Sequence, residues 1–366
     1  MLRGLGPLAL LACAVAAGAH VVGTKTLQGL VAEADLVLRA RIVAPSEGEG
    51  GSRAEPTGGR APVEAEVLEV LKGALAEPRV RFVQHGHGVA PFAPDEETLL
   101  FLLDIARSRE LDALGRAGEY AWVSLQEHDD SYPLAPATRD VALAAVRDYA
   151  SAPNAPTPAA RLAALRRATV GLLASRDARL AASALRDLVL APSLPLVAAS
   201  DLAVLGPVLD DPDASMGVRV GLLAELERRG LVDGPPRWLR LLSAEAPTPD
   251  RVTAIRGAAA SRDPRVRSRL AGLLSDPDAR VAAAAASALG VQGDPAAVEP
   301  LARALSHASS TVRVAAIRGL GGIASPEAAR ALERAAREHP DPATRRRAAA
   351  ELKQGGAGAE AARARP

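Results

Sequence analysis

The sequence predicts an α+β multidomain protein, in which a small antiparallel β-barrel or sheet is followed by a C-terminal all-α solenoid. Three observations lead there. Aromatic residues make up only 2% of the chain against a hydrophobic share of 48%, so Ala, Leu and Val fill the apolar positions, a mix suited to close helix-on-helix packing. Between Thr24 and Leu134, short apolar runs alternate with polar neighbours in the two-residue period of half-buried strands. Beyond Pro158, one helical pattern keeps returning, and a repeat of that length means stacked supersecondary units.

The first segment, Met1 to Ala19, has Arg3, an apolar stretch from Leu5 to Ala17 and a closing Ala17-Gly18-Ala19. That is the build of a signal peptide (residues 1–19), and it predicts a mature chain starting at His20 in the periplasm or outside a Gram-negative-like cell. The stretch is shorter than the ~20 residues that cross a bilayer, so no membrane insertion is expected after cleavage. An uncleaved anchor is one alternative, and a lipoprotein site at Leu10-Leu11-Ala12-Cys13 is another. Cys13 is the one cysteine, so a chain cut after Ala19 can form no disulfide, thiolate nucleophile or Cys-ligated zinc site.

Residues 20–135 are expected to form the β-domain. After a short helix over Leu27 to Ala34, strands are predicted at Asp35 to Val43, Pro62 to Leu71, Arg79 to Gln84, Thr98 to Leu103 and Glu119 to Leu125. The Gly/Ser/Glu/Pro-rich stretch from Pro45 to Ala61 reads as a mobile loop. Residues 136–157 read as a linking helix, Ala137 to Tyr149, and a Pro-rich linker, Ser151 to Pro158. The solenoid then covers 158–353, with residues 354–366 as a disordered tail.

The repeat is clearest from Asp278 to Gly290, returning 31 residues later at Ser309 to Gly321 and 32 further on at Pro342 to Leu352. Weaker copies lie at Asp250 to Ala260, Ala214 to Leu226 and Asp177 to Leu188. Val281, Ala284, Ala285, Ala288 and Leu289 make one helical face, as do Val312, Ala315, Ala316, Gly319 and Leu320. Val298, Leu301, Ala302 and Leu305 form a stripe between them, and Val266, Leu270, Leu273 and Leu274 another. Asp278 and Asp294 are expected N-caps, and Gly290 an expected helix end. Pro300 falls where a helix should already have begun.

The run "SDPDARVAAAAASALG" followed by "GDPAAVEPLARALSHASSTVRVAAIRGLGGI" closely resembles the HEAT repeats found in phycobiliprotein lyases. The resemblance implies about six helix pairs. It also implies that an Arg beside each stripe pairs with an Asp of the adjoining repeat, for which Asp213, Asp278 and Asp294 are candidates. Lyases of that kind attach a bilin to a cysteine of another protein, but a shared scaffold does not transfer an activity. The order "EADLVLRARIV", "EVLEVLKG", "VRFVQHG", "FAPDEETLLFLL" resembles the small OB-type or netrin-like barrels that precede repeat arrays in exported bacterial proteins.

The chemistry-bearing residues are few. No phosphate loop, dinucleotide glycine set, GxSxG elbow or HExxH pair occurs, so the chain reads as a non-enzyme with no cofactor. His85 and His87, in Gln84-His85-Gly86-His87-Gly88, would point to one side of a strand and could hold a metal with His128, Asp129 or Asp130. If the strand stops at His85, both belong to a solvated turn. His20, as a new N-terminus, could bind Cu(II) through its amine and ring. Arg219, Arg280, Arg313 and Arg345 form a series along the array, read as a structural ladder or as contacts to a protein partner. Export and the scarcity of stacking aromatics argue against nucleic acid.

Charge is unevenly divided: residues 20–152 carry 13 Lys/Arg against 21 Asp/Glu, whereas residues 153–366 carry 30 against 22. Such asymmetry biases encounter with partners without determining fold. The function these features predict is an exported, monomeric protein-binding scaffold, with a metal-binding β-domain as the alternative.

Overall fold

The structure is a computed structural model describing residues 25–43, 61–84, 92–107, 120–125 and 132–363. The leader, residues 45–60 of the expected loop, and His20, His85, His87, His128, Asp129 and Asp130 lie outside the described residues, while Ala61 belongs to the second strand. The fold divides into two compact units, His20–Ala214 and one built from Ser215–Pro366.

The first unit opens with helix α1 (Leu27–Glu33) and strands β1 (Leu36–Val43), β2 (Ala61–Lys72), β3 (Arg79–Gln84), β4 (Glu97–Asp104), β5 (Trp122–Ser124) and β6 (Tyr132–Pro133). Pairing runs β1-β2-β3-β5-β4 and returns to β1, which closes a five-stranded barrel, while β6 adds to β4 on the outside. All predicted strands are present. The expectation of a purely antiparallel sheet needs one correction, because β3 and β5 pair in parallel through Phe82, Val83, Trp122 and Val123. Closure requires it: with β5 also antiparallel to β4, only that direction brings it alongside β3.

Alternation explains the barrel core. Leu36, Leu38, Ala40 and Ile42 of β1 pack inside with Val63, Ala65, Val80, Phe82, Leu100 and Leu102. β4 departs from alternation, since Leu99 and Phe101 on its other side are also fully buried. Phe101 meets Tyr132 edge-on at 5.9 Å between ring centres.

The helix expected at Ala137 to Tyr149 is present, and it falls with the helices that follow it in the same compact unit as the barrel. Helices α2 (Arg139–Ser151), α3 (Pro158–Leu173), α4 (Ala178–Leu190) and α5 (Leu202–Asp210) follow the barrel. α2 buries Ala142, Leu143, Val146 and Tyr149, and Arg147 and Arg139 reach back to Glu69 of β2 and Glu97 of β4 at 2.7 and 3.0 Å. α1 ties the barrel to these helices. Its first turn is capped by Thr26 and by Ser183 of α4, which accepts from the Leu27 amide at 2.7 Å. At its other end the Lys72 ammonium donates to the carbonyls of Val31 and Ala34, where a cation complements the helix dipole.

The second unit contains α6 (Met216–Arg228), α7 (Gly234–Ser243), α8 (Thr248–Ala258), α9 (Pro264–Gly272), α10 (Ala279–Gln292), α11 (Val298–Ala304), α12 (Ser310–Gly321), α13 (Pro326–Glu338) and α14 (Pro342–Arg363). The even-numbered helices pack successively on one another, α6 on α8 through to α14. Every predicted stripe residue of α10 and α12 is buried. The expected disordered tail is overturned in part, because backbone helix continues through Gly355 and Gly356 to Arg363.

Two local expectations also change. α10 does not end at Gly290; it runs to Gln292 and is closed by Gly293 in the left-handed conformation, φ 66°. Gly290 serves packing instead, because a Cβ there would lie 2.5 Å from Cα of Gly319 on α12. Pro300 is accommodated because a 3-10 turn, Pro295–Ala297, precedes α11, leaving the proline in a first turn whose amide needs no helical partner.

Gly290→Ala is expected to destabilise the second unit by about 1–3 kcal/mol through overpacking. Gly272→Ala, at a position with nothing within 4 Å, should be neutral or stabilising by about 0.5 kcal/mol; denaturant titration of both variants checks the contrast.

Asp187 of α4 gives a second expectation. The residue is 7% exposed and its Oδ2 has no hydrogen-bond partner among the described residues. Burial pushes its carboxyl up to about 6, against the opposing pull of a Thr26 hydrogen bond and the Arg186 charge. The native state therefore holds this proton more tightly than the unfolded chain, and stability falls as pH rises from about 4 to about 6. Asp187→Asn should add up to about 3 kcal/mol at pH 7.5 and little at pH 4, measured by urea midpoints at the two pH values.

Candidate functional site

The polar side chains of the second unit gather where one repeat meets the next. The backbone makes this inevitable, since each even-numbered helix starts at the same edge of the stack. The residues preceding these helices are Ser215, Pro247, Asp278, Ser309 and Asp341. Counting four residues on from each gives Arg219, Arg251, Ala282, Arg313 and Arg345.

Arg313 shows what this position does. Its Nη1 donates to the carbonyls of His307 and Ala308 in its own repeat, at 2.9 and 2.8 Å. Its other edge crosses to the next repeat, with Nη2 2.8 Å from Asp341 Oδ2 and Nε 3.0 Å from Thr344 Oγ1. Asp341 also accepts from the Thr344 hydroxyl at 2.7 Å. Its carboxyl is held well below the usual range by Thr344 first, then by the Ala343 amide and Arg313.

Arg251 makes the corresponding crossing to Asp276, supported by Thr248 Oγ1 on Asp278 at 2.6 Å. A second set of bonds joins successive repeats near the opposite helix ends. Arg267 pairs with Asp294, Arg262 donates to the Gln292 carbonyl, and the buried Gln292 amide donates to Ser261 O at 2.9 Å.

Of the arginines singled out from sequence, Arg313 is therefore an inter-repeat rung. Arg280 is not: it sits two residues after the cap, forks onto its own cap residue Asp278 at 3.0 Å, and its side chain is 72% exposed. Ala282 holds the frame position in that repeat, so the rung there is missing. Arg251 is the member sequence reasoning missed, although counting from the cap residue reveals it. Asp278 and Asp294 do receive groups from the preceding repeat, Thr248 and Arg267. Arg219 lies on α6 at the same frame position.

In the first unit a groove of 510 Å³ is lined by Ala163, Arg166, Arg167, Val170, Gly171 and Asp201. Arg166 forks onto Asp201 and Arg167 pairs with Asp148, so both cations are neutralised. Among the described residues no group of three or more His, Cys, Asp or Glu is placed to hold a metal. No helix among them is long and apolar enough to cross a membrane. Tyr120 and Trp122 are half-buried, Tyr120 beneath the Arg81 guanidinium. Trp238 is a core residue whose indole donates to Glu227 at 2.7 Å.

The geometry has relatives. A model of the HEAT repeats matches residues 235–312 and 299–364, and this part of the chain is a HEAT-repeat solenoid. Similar solved structures include human deoxyhypusine hydroxylase, 20% identical, covering 60% of this chain and 97% of its own, TM-score 0.30. A designed armadillo repeat protein is 20% identical over 56% of this chain and 96% of its own, TM-score 0.31. An engineered protein is 22% identical over 53% of this chain and 97% of its own, TM-score 0.30. No curated protein sequence gives a significant match.

The rungs predict unequal effects of two arginines. Arg313→Ala should lower the thermal midpoint by several degrees, whereas Arg280→Ala should shift it by no more than about 1 °C. Because Asp341 is depressed below its unfolded value, the contribution of its rung is full above about pH 5 and declines on acidification. The gap between the two variants should therefore narrow from pH 7 to pH 3, as scanning calorimetry would show.

Proposed function

We propose that this chain is an exported, non-enzymatic scaffold that binds other proteins along its HEAT-repeat surface, with the barrel offering a second contact. The observation that carries this reading is the stacking itself. Successive helix pairs present equivalent exposed positions in register, and such an array suits an extended protein partner better than a small molecule. Export rests on the leader read from Met1 to Ala19.

Affinities in roughly the micromolar range fit a transient partner. The test is crosslinking and capture from the native cell envelope with the full chain, followed by mass spectrometry. The expected result is a mature chain beginning at His20 and one or a few proteins enriched over a control with the exposed repeat side chains scrambled. Equal recovery from the two baits would refute the scaffold reading.

A further inference from the structure

The arginines of the second unit fall into two groups. Arg251, Arg267, Arg313 and Arg345 donate to carboxylates or carbonyls of the stack; Nη1 of Arg345 reaches His339 O and Pro340 O at 2.7 and 3.1 Å. Arg256 and Arg318 are exposed and have no hydrogen-bond or ion-pair partner among the described residues. Their places are equivalent. Each stands nine residues after the residue preceding its helix, Pro247 for α8 and Ser309 for α12, and Ser287 holds that place on α10 between them.

Beyond the first turn, the exposed residues of these three helices are Arg256 on α8, Ser287 and Val291 on α10, and Arg318 and Gly321 on α12. The helices pack in that order, so together they present one narrow row to solvent. Val291, 50% exposed, lies one turn beyond Ser287 on the same side of α10. The row carries one sign of charge. α10 and α12 contain no Asp or Glu, and Asp250 of α8 is half-buried in the first turn. The odd-numbered helices α11 and α13 differ, since exposed Glu299, Glu327 and Glu333 stand there among exposed Arg303, Arg330 and Arg334.

We propose that this row docks an extended acidic segment of another protein, with one carboxylate on Arg256, a second on Arg318, and an apolar side chain between them on Val291. Charge complementarity selects the occupant: two unpaired guanidinium forks match carboxylates, and no acidic side chain of the row competes for them. Spacing sets its length. Neighbouring helix axes lie about 8–10 Å apart, so positions two helices apart are separated by roughly 16–20 Å. An extended chain rising about 3.3 Å per residue covers that in about six residues, an even number that leaves both carboxylates on one side of the strand. None of the three helices contains an aromatic residue, so the bases of a nucleic acid would find no stacking surface. This proposal rests on the scaffold reading and narrows it to one class of partner.

The test uses the full chain and a fluorescent, end-capped peptide, Glu-Ser-Leu-Ser-Leu-Ser-Glu. Fluorescence anisotropy should show saturable binding to the wild-type chain. Binding should weaken about threefold for Arg256→Ala or Arg318→Ala alone and about tenfold for the two together, because the sites are too far apart to couple directly. The permuted peptide Glu-Glu-Ser-Leu-Ser-Leu-Ser, of the same composition and charge, should bind about fivefold more weakly, since its carboxylates cannot span the row. Arg334→Ala on α13, an exposed change of the same charge, should leave the affinity within twofold. No binding to the wild-type chain, equal affinity for the two peptides, or a loss for Arg334→Ala as large as for Arg256→Ala overturns the proposal. Displacement of the peptide by an equal concentration of single-stranded oligonucleotide also overturns it, by giving the row to nucleic acid. Envelope capture tests the broader scaffold reading separately, so either can fail alone.

Discussion

A helix pair of about 30 residues cannot bury its apolar face by itself, and the second unit follows from that constraint. Each pair becomes stable only when the next one covers it, so the contact between consecutive even-numbered helices is the interaction on which the stack depends. At Gly290 and Gly319 the backbones of α10 and α12 approach so closely that neither leaves room for a side chain. Close approach of this kind lets alanine do the work that larger side chains do elsewhere, which is why a core so poor in aromatics packs at all.

Apolar stacking alone leaves helices free to slide or rotate, and the polar seam opposes that freedom. Arg313 on Asp341, Arg251 on Asp276 and Arg267 on Asp294 each join residues in adjoining repeats. The Asp acceptors lie at or just before helix starts, where backbone amides and the helix dipole already favour a negative charge. One carboxylate thus caps its own helix and anchors the preceding repeat.

The first unit solves a different problem. A five-stranded barrel of this size has a small interior, and part of its outer surface is apolar as well, as Leu99 and Phe101 show. α1 packs against β4, α2 and α4, while α2 packs against β2, and α1 is secured at both ends by Ser183 and Lys72. The helix at Ala137 to Tyr149 was legible, and the prolines from Ser151 to Pro158 suggested a linker after it, yet composition says nothing about what lies across from a helix. Val146 and Tyr149 were already spaced as one buried face.

Strand positions, repeat period, buried stripes and the Asp278 cap were all legible in the sequence, because alternation, helical periodicity and capping depend on residues within a few positions of one another. The arginine series was legible only in part. Repeats aligned by eye offered Arg280, where the cap-based frame selects Arg251 and leaves Ala282 as a gap. The tertiary structure alone decided the parallel pairing of β3 with β5, the attachment of α2 to the barrel, and which guanidinium meets which carboxylate. Those choices rest on contacts between residues 25 to 78 positions apart, where loop closure and packing select the partner and local pattern is silent.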